Sequence, residues 1–145
     1  MDRPLYQMPT PTLIVGRNAC AVLRPLFDRM GYGPETATFA DTVGDARGRL
    51  DTMPPPALLI IEEGEGADAV VCRICQDNPD LRVMALGDGK SKIRADMRLP
   101  LQVSYEVFST KYHDLALAFA MSAGGFRGEV DASLKGGCAR DCDQG

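Results

Sequence analysis

Residues 57–64, Ala-Leu-Leu-Ile-Ile-Glu-Glu-Gly, run from an apolar stretch straight into a pair of carboxylates. Glu62 and Glu63 are therefore the first candidates for chemistry, since buried runs of this sort carry functional groups at their C-terminal ends. Cys72 and Cys75 form a C-x-x-C pair, and Cys138 and Cys142 supply two more thiols, so four cysteines are on hand for a zinc or iron–sulfur site. Cys75 falls on the apolar stripe of a helical pattern, where a free cysteine is a small hydrophobe. The second pair stands in a polar, Gly-rich stretch with no scaffold around it. Cys20 opens a helical pattern, a position where a thiol pKa can fall. Lys90, Lys92, Arg94 and Arg98 crowd one short segment and could dock an acidic partner. His113, the only histidine, has Asp114 beside it but no acid–base partner identifiable from the sequence.

Composition narrows the classes. With 145 residues, the chain suits one domain with a single core and modest tails. A formal net charge of −4 and a pI near 4.9 give no global positive field to gather phosphates, so no nucleic-acid partner is expected. Apolar runs stay far below the ~18 residues that span a bilayer, and the first twelve residues contain no apolar signal core. A cytoplasmic protein without membrane contact is the expectation. An odd number of cysteines, five, without an export signal argues against a disulfide framework.

The elements that would position these groups follow from periodicity. Residues 12–16 (TLIVG), 57–61 (ALLII) and 81–87 (LRVMALG) are continuous apolar runs, as in parallel strands covered on both faces. Residues 35–40 (ETATFA) and 104–110 (SYEVFST) are weaker strand candidates. Ala19, Val22, Leu23, Leu26, Phe27 and Met30 predict a helix with Asn18 as N-cap and Gly31 as stop, disturbed by Pro25. Val43, Ala46 and Leu50 predict a weak one behind an Asp41/Thr42 cap. Ala67, Val70, Val71, Ile74 and Cys75 give a clean helical face. A short basic helix is expected over 90–98 and a last one over 113–123. The order is β-α repeated five times. It predicts a three-layer, doubly wound (βα)5 α/β sandwich on a five-stranded parallel sheet, flavodoxin-like, over residues 11–124. Residues 1–10 and 125–145 read as tails.

With these runs in register, the chain resembles a response-regulator receiver domain over nearly all of 11–124. The resemblance rests on LIVGRN, MGYGPETATFADTVGDARGRL, PPALLIIEEG, LRVMALG and YEVFSTKYHDL. It implies an acidic metal-binding pair after the first strand, a phosphoacceptor Asp after the third, a hydroxyl after the fourth and a Lys, usually followed by Pro, after the fifth. In this sequence those positions fall on Gly16 and Arg17, on Glu62, on Gly87 and on Lys111, with Phe108 at the place of an aromatic switch residue. One polar site residue of five is retained.

Chemistry decides what the departures mean. Phosphoryl transfer to a carboxylate is mostly positioning and charge neutralisation by magnesium. Arg17 places a fixed positive charge where that metal would lie. Glu62 carries its carboxylate one methylene further out than Asp, and Gly87 offers no hydroxyl. The expectation is an atypical receiver that is not phosphorylated and performs no enzymatic turnover, without metal or cofactor. In it Glu62 would be a permanent anion flanked by Arg17 and Lys111. Glu63 is expected to face solvent and Asp88 to sit in a turn. It would act through a protein partner, a histidine kinase or another signalling protein. The last helix is apolar on nearly every side, so Leu115, Leu117, Phe119 and Met121 are expected to form a contact surface, with a homodimer the leading form. Two alternatives remain. One is an unorthodox phosphoacceptor in which Glu62, Glu63 or Asp88 improvises a magnesium site. The other is a metal or redox sensor built on the cysteines.

Overall fold

The computed structural model describes residues 10–124, except Glu35, Pro54, Glu65 and residues 90–92, with the backbone alone for 122–124. Its strands are the apolar runs. β1 (Thr12–Val15), β2 (Ala37–Ala40), β3 (Leu58–Glu62), β4 (Arg82–Leu86) and β5 (Met97–Leu99) form one sheet in the order β2-β1-β3-β4-β5, all parallel. Helices α1 (Arg17–Met30), α2 (Val43–Leu50), α3 (Ala67–Asp77) and α4 (Tyr105–Gly124) cover both faces. This is the doubly wound, flavodoxin-like α/β arrangement that the alternation predicts, with four helices among the described residues.

Strand geometry divides the core. Successive side chains point to opposite faces, so Ile14, Leu58, Ile60, Met84 and Leu86 meet α1 and α4, while Leu13, Val15, Leu59, Ile61, Val83 and Ala85 meet α2 and α3. On the first face Phe27 of α1 is the hub of an aromatic cluster. Its ring centroid lies 5.2 Å from Tyr112, 5.5 Å from Phe108 and 6.0 Å from Phe39. Tyr112 lays its hydroxyl 2.8 Å from the buried Thr12 hydroxyl and so links α4 to the start of the sheet.

The helix boundaries follow local chemistry. Thr42 caps α2 by accepting from the Asp45 amide at 3.0 Å, as its position predicts. Gly31 ends α1 with φ of 82°, a left-handed turn that needs a glycine. Pro25 is exposed within α1, and the helix continues through it to Met30. All five residues of the predicted α3 stripe, Ala67, Val70, Val71, Ile74 and Cys75, are buried.

Two expectations fail at the C-terminal side. Residues 104–110 are not the fifth strand; from Tyr105 they open α4. Their aromatic and β-branched residues resemble a strand over seven positions. Over a longer window, Tyr105, Phe108, Tyr112 and Leu115 repeat at three and four, the period of a helix lying on the sheet. Phe108, Tyr112 and Leu115 are buried, and the Ser104 hydroxyl receives the Val107 amide at the helix start. Nor are residues 93–98 helical: β5 is Met97–Leu99, and the described part of the β4–β5 connection is irregular. Ile93 is buried against the α3 side, Asp96 accepts the Val83 amide at 2.8 Å, and Arg82 lies 3.7 Å from the Asp96 carboxylate. These anchors hold the connection beside β4.

Candidate functional site

β3 is the central strand, with β1 on one side and β4 on the other. Its C-terminal residues therefore stand between the ends of both neighbours, where ligands bind in open α/β sheets. Glu62 pairs in register with Leu86, and the Glu63 amide donates to the Leu86 carbonyl at 2.8 Å. Being consecutive, the two carboxylates leave the strand toward opposite faces.

Glu62 turns toward α1. One oxygen, Oε1, accepts the backbone amides of Asn18 at 2.9 Å and Ala19 at 3.0 Å, and Oε2 accepts the Asn18 side-chain amide at 2.9 Å. Helix α1 begins at Gly16 with no side-chain cap of its own and no acidic residue in its first turn. Glu62 is thus its N-cap, supplied from a strand 44 residues away in sequence, and it satisfies two of the amides that a helix start leaves orphaned. The carboxylate reaches them by lying across Gly16. A Cβ built at Gly16 would meet Glu62 Cβ at 2.5 Å and Oε1 at 2.6 Å, and Gly16 has φ of 124°.

Glu63 repeats the device on the other side. Its chain lies across Gly87, where a Cβ would meet it at 2.9–3.0 Å. Its carboxylate accepts the Gly89 amide at 3.1 Å and forms a 2.9 Å ion pair with Arg98. The Arg98 guanidinium also donates to the Ile93 carbonyl, which fastens the connection before β5. The Glu63 side chain is only 7% exposed, so the expectation that it faces solvent is corrected: its partners lie within the loop, not in water.

The expected triad of Glu62, Arg17 and Lys111 is not assembled. Among the described residues neither Arg17 nor Lys111 forms an ion pair with Glu62; both are exposed, Arg17 as the first residue of α1 and Lys111 well inside α4. The displacement of Lys111 has a simple cause. With β5 at Met97–Leu99, the residue ahead of Pro100 is Leu99, which is buried and uncharged. The position that the resemblance gives to a Lys-Pro pair falls there. Phe108, likewise, sits on α4 as a fully buried member of the Phe27 cluster rather than on a strand. Asn18, expected as an N-cap, is one position inside the helix and donates to Glu62 instead. The signal that could have found this arrangement was a helix start without a capping residue next to a glycine.

A shallow cleft of about 230 Å³ remains beside these groups, lined by Gly16, Arg17, Asp41, Thr42, Glu62 and Gly64 among others. No three His, Cys, Asp or Glu side chains converge as a metal site among the described residues. Cys20 is buried, with its sulfur 3.5 Å from the Ala40 carbonyl, and burial with the nearby Asp41 charge pushes its pKa up to about 11. That is the opposite of an activated thiolate. Cys72 is half-buried and Cys75 buried on α3, neither in a disulfide among the described residues. Cys138 and Cys142 lie outside the described residues, as do Lys90 and Lys92 of the basic segment. His113 places Nε2 2.7 Å from the Tyr32 hydroxyl, and burial holds its pKa below the usual value.

On α4, Leu115 is 4% exposed and belongs to the core, and Phe119 is half-buried against it. Leu117 and Met121 are exposed, and Val107 joins them on one stripe of the helix. No helix among the described residues is long and apolar enough to cross a membrane.

No family model and no curated protein matches the sequence. Among solved structures, the fold matches the signal receiver domain of an HD domain-containing protein from Pseudomonas fluorescens Pf-5, with a TM-score of 0.64 over 82% of this chain and 96% of that one, at 14% identity. The chain thus has the receiver fold.

Proposed function

We propose that the protein is a receiver-type signalling module that works without phosphoryl transfer, through contact with another protein. One observation carries this reading: both oxygens of the carboxylate at the phosphoacceptor position are engaged in holding the first turn of α1. A nucleophilic carboxylate needs an unshared oxygen facing the incoming phosphorus, and magnesium to neutralise the charge that develops. Magnesium in turn wants oxygen ligands at about 2.0–2.1 Å. Gly16 and Arg17 supply no carboxylate, and moving Glu62 toward a metal would uncap α1. The contact surface is α4, where Val107, Leu117 and Met121 are 46%, 40% and 48% exposed. A second copy of the chain or a partner kinase would cover them.

The test is incubation with acetyl phosphate and magnesium, followed by intact-mass analysis and amide NMR with beryllofluoride. The expected result is no labile adduct and no shift at Gly16 or Glu62. A stoichiometric, alkali- and hydroxylamine-labile adduct on Glu62 would overturn the reading.

A further inference from the structure

Helix α1 is held at both ends by different parts of the molecule. Its first turn is fixed to β3 by Glu62 and Asn18. Its second half is fixed to α4 by three contacts of different kinds. Phe27 packs edge-on against Phe108 and Tyr112, the Arg29 guanidinium lies 4.0 Å from the Tyr105 ring centroid, and Tyr32, just beyond the helix, meets His113 at 2.7 Å. Rigid elements with defined contacts at both ends transmit displacement between them. The end of β3 has a second outlet toward β5, through Glu63 and Arg98, and that pair closes on the loop around Ile93 and Gly89.

We propose that Glu62 is a positioning residue for the exposed stripe of α4, acting through α1 as a strut: the carboxylate seats α1, and α1 seats Val107, Leu117 and Met121. This rests on the reading of α4 as the contact surface and adds a specific route. Signals at the end of β3 reach α4 through Phe27, Arg29 and Tyr32, without an aromatic residue on β5.

The experiment is backbone amide NMR of the full chain. Glu62→Ala removes the cap, and the amides of Thr110, Asp114 and Leu117 are the reporters, since they lie on α4 away from the substitution. The expected result is a shift of those amides in Glu62→Ala. Glu62→Gln, whose carbonyl oxygen can still accept the Asn18 and Ala19 amides, should restore most of it. In a Phe27→Leu background the same Glu62→Ala change should move α4 less. Shifts confined to residues 16–20 and the end of β3, with α4 unmoved, overturn the strut. Should Glu62→Ala fail to fold, Asn18→Ala removes a single hydrogen bond and is read in the same way. Acetyl phosphate labelling of the parent chain separates the two ideas: an adduct sinks the phosphorylation-independent reading, whereas silent α4 amides sink the strut alone.

Discussion

Replacing Gly16 by Ala tests the site at its tightest point. The new methyl would stand 2.5 Å from Glu62 Cβ, an atom fixed to the β3 backbone that no side-chain rotation can withdraw. The carboxylate oxygen at 2.6 Å could swing away, but only by releasing the Asn18 and Ala19 amides. Two costs then add. A non-glycine residue forced to φ near 124° carries roughly 1–3 kcal/mol of backbone strain. Loss of the cap adds about 0.5–2 kcal/mol. The sum, roughly 1.5–5 kcal/mol, is a large fraction of the ~5–15 kcal/mol that holds a domain together. At about 3–4 °C per kcal/mol for a unit of this size, it corresponds to a fall in Tm of roughly 5–20 °C. The chain has no tryptophan and four tyrosines, so urea unfolding is best followed by far-ultraviolet circular dichroism. Gly48→Ala is the matched control. Gly48 lies inside α2 with nothing within 4 Å of an added methyl, and alanine there should stabilise by about 0.4–1 kcal/mol. A Gly16→Ala protein within ~0.5 kcal/mol of its parent, the range of an ordinary surface change, would mean that Glu62 does not lie over Gly16, and the account of the site would fall with it.

Two further outcomes follow from titrating groups. Burial lowers the His113 pKa in the folded chain, so unfolding takes up a proton as pH falls below the ordinary histidine value. Stability from this group is fully present above that value and declines with acidification; a pH series of urea melts over about pH 5 to 7 should show the slope, and His113→Gln should remove it. Cys20, with its pKa raised to about 11, should resist a thiol reagent at pH 8 under native conditions while Cys72 reacts, as peptide mapping after timed alkylation would show. Equal labelling of the two would contradict the buried environment.

The sequence announces β1, β3 and β4 because strands covered on both faces must be apolar throughout, and α3 because five core positions repeat without interruption. β5 is hidden for the opposite reason: it is three residues long, carries Arg98 in its middle, and offers no period to detect. The stretch after it was open to misreading because Tyr105, Val107 and Ser109 alternate locally, while the decisive repeat to Tyr112 and Leu115 needs a longer window. At the site, the position of Glu62 was legible but its partners were not. The resemblance suggested Arg17 and Lys111, whereas the structure uses the Asn18 side chain and two backbone amides, which every sequence contains and none displays. Uncapped helix starts are the readable trace of such a demand, and Gly16-Arg17-Asn18 is one.

The pairing of each glutamate with a glycine across the strand ends also governs how this protein can change. A side chain at position 16 is sterically incompatible with Glu62, and one at 87 with Glu63. Conversely, shortening Glu62 while Gly16 stays bare leaves the first turn of α1 without an acceptor. The fitness of a substitution at one member is therefore set by the state of the other, so single-step mutational paths through either pair pass over a destabilised intermediate. Anyone redesigning this edge to hold a metal would have to exchange positions 16 and 62 together, and a library that varies them one at a time would report both as intolerant of most substitutions.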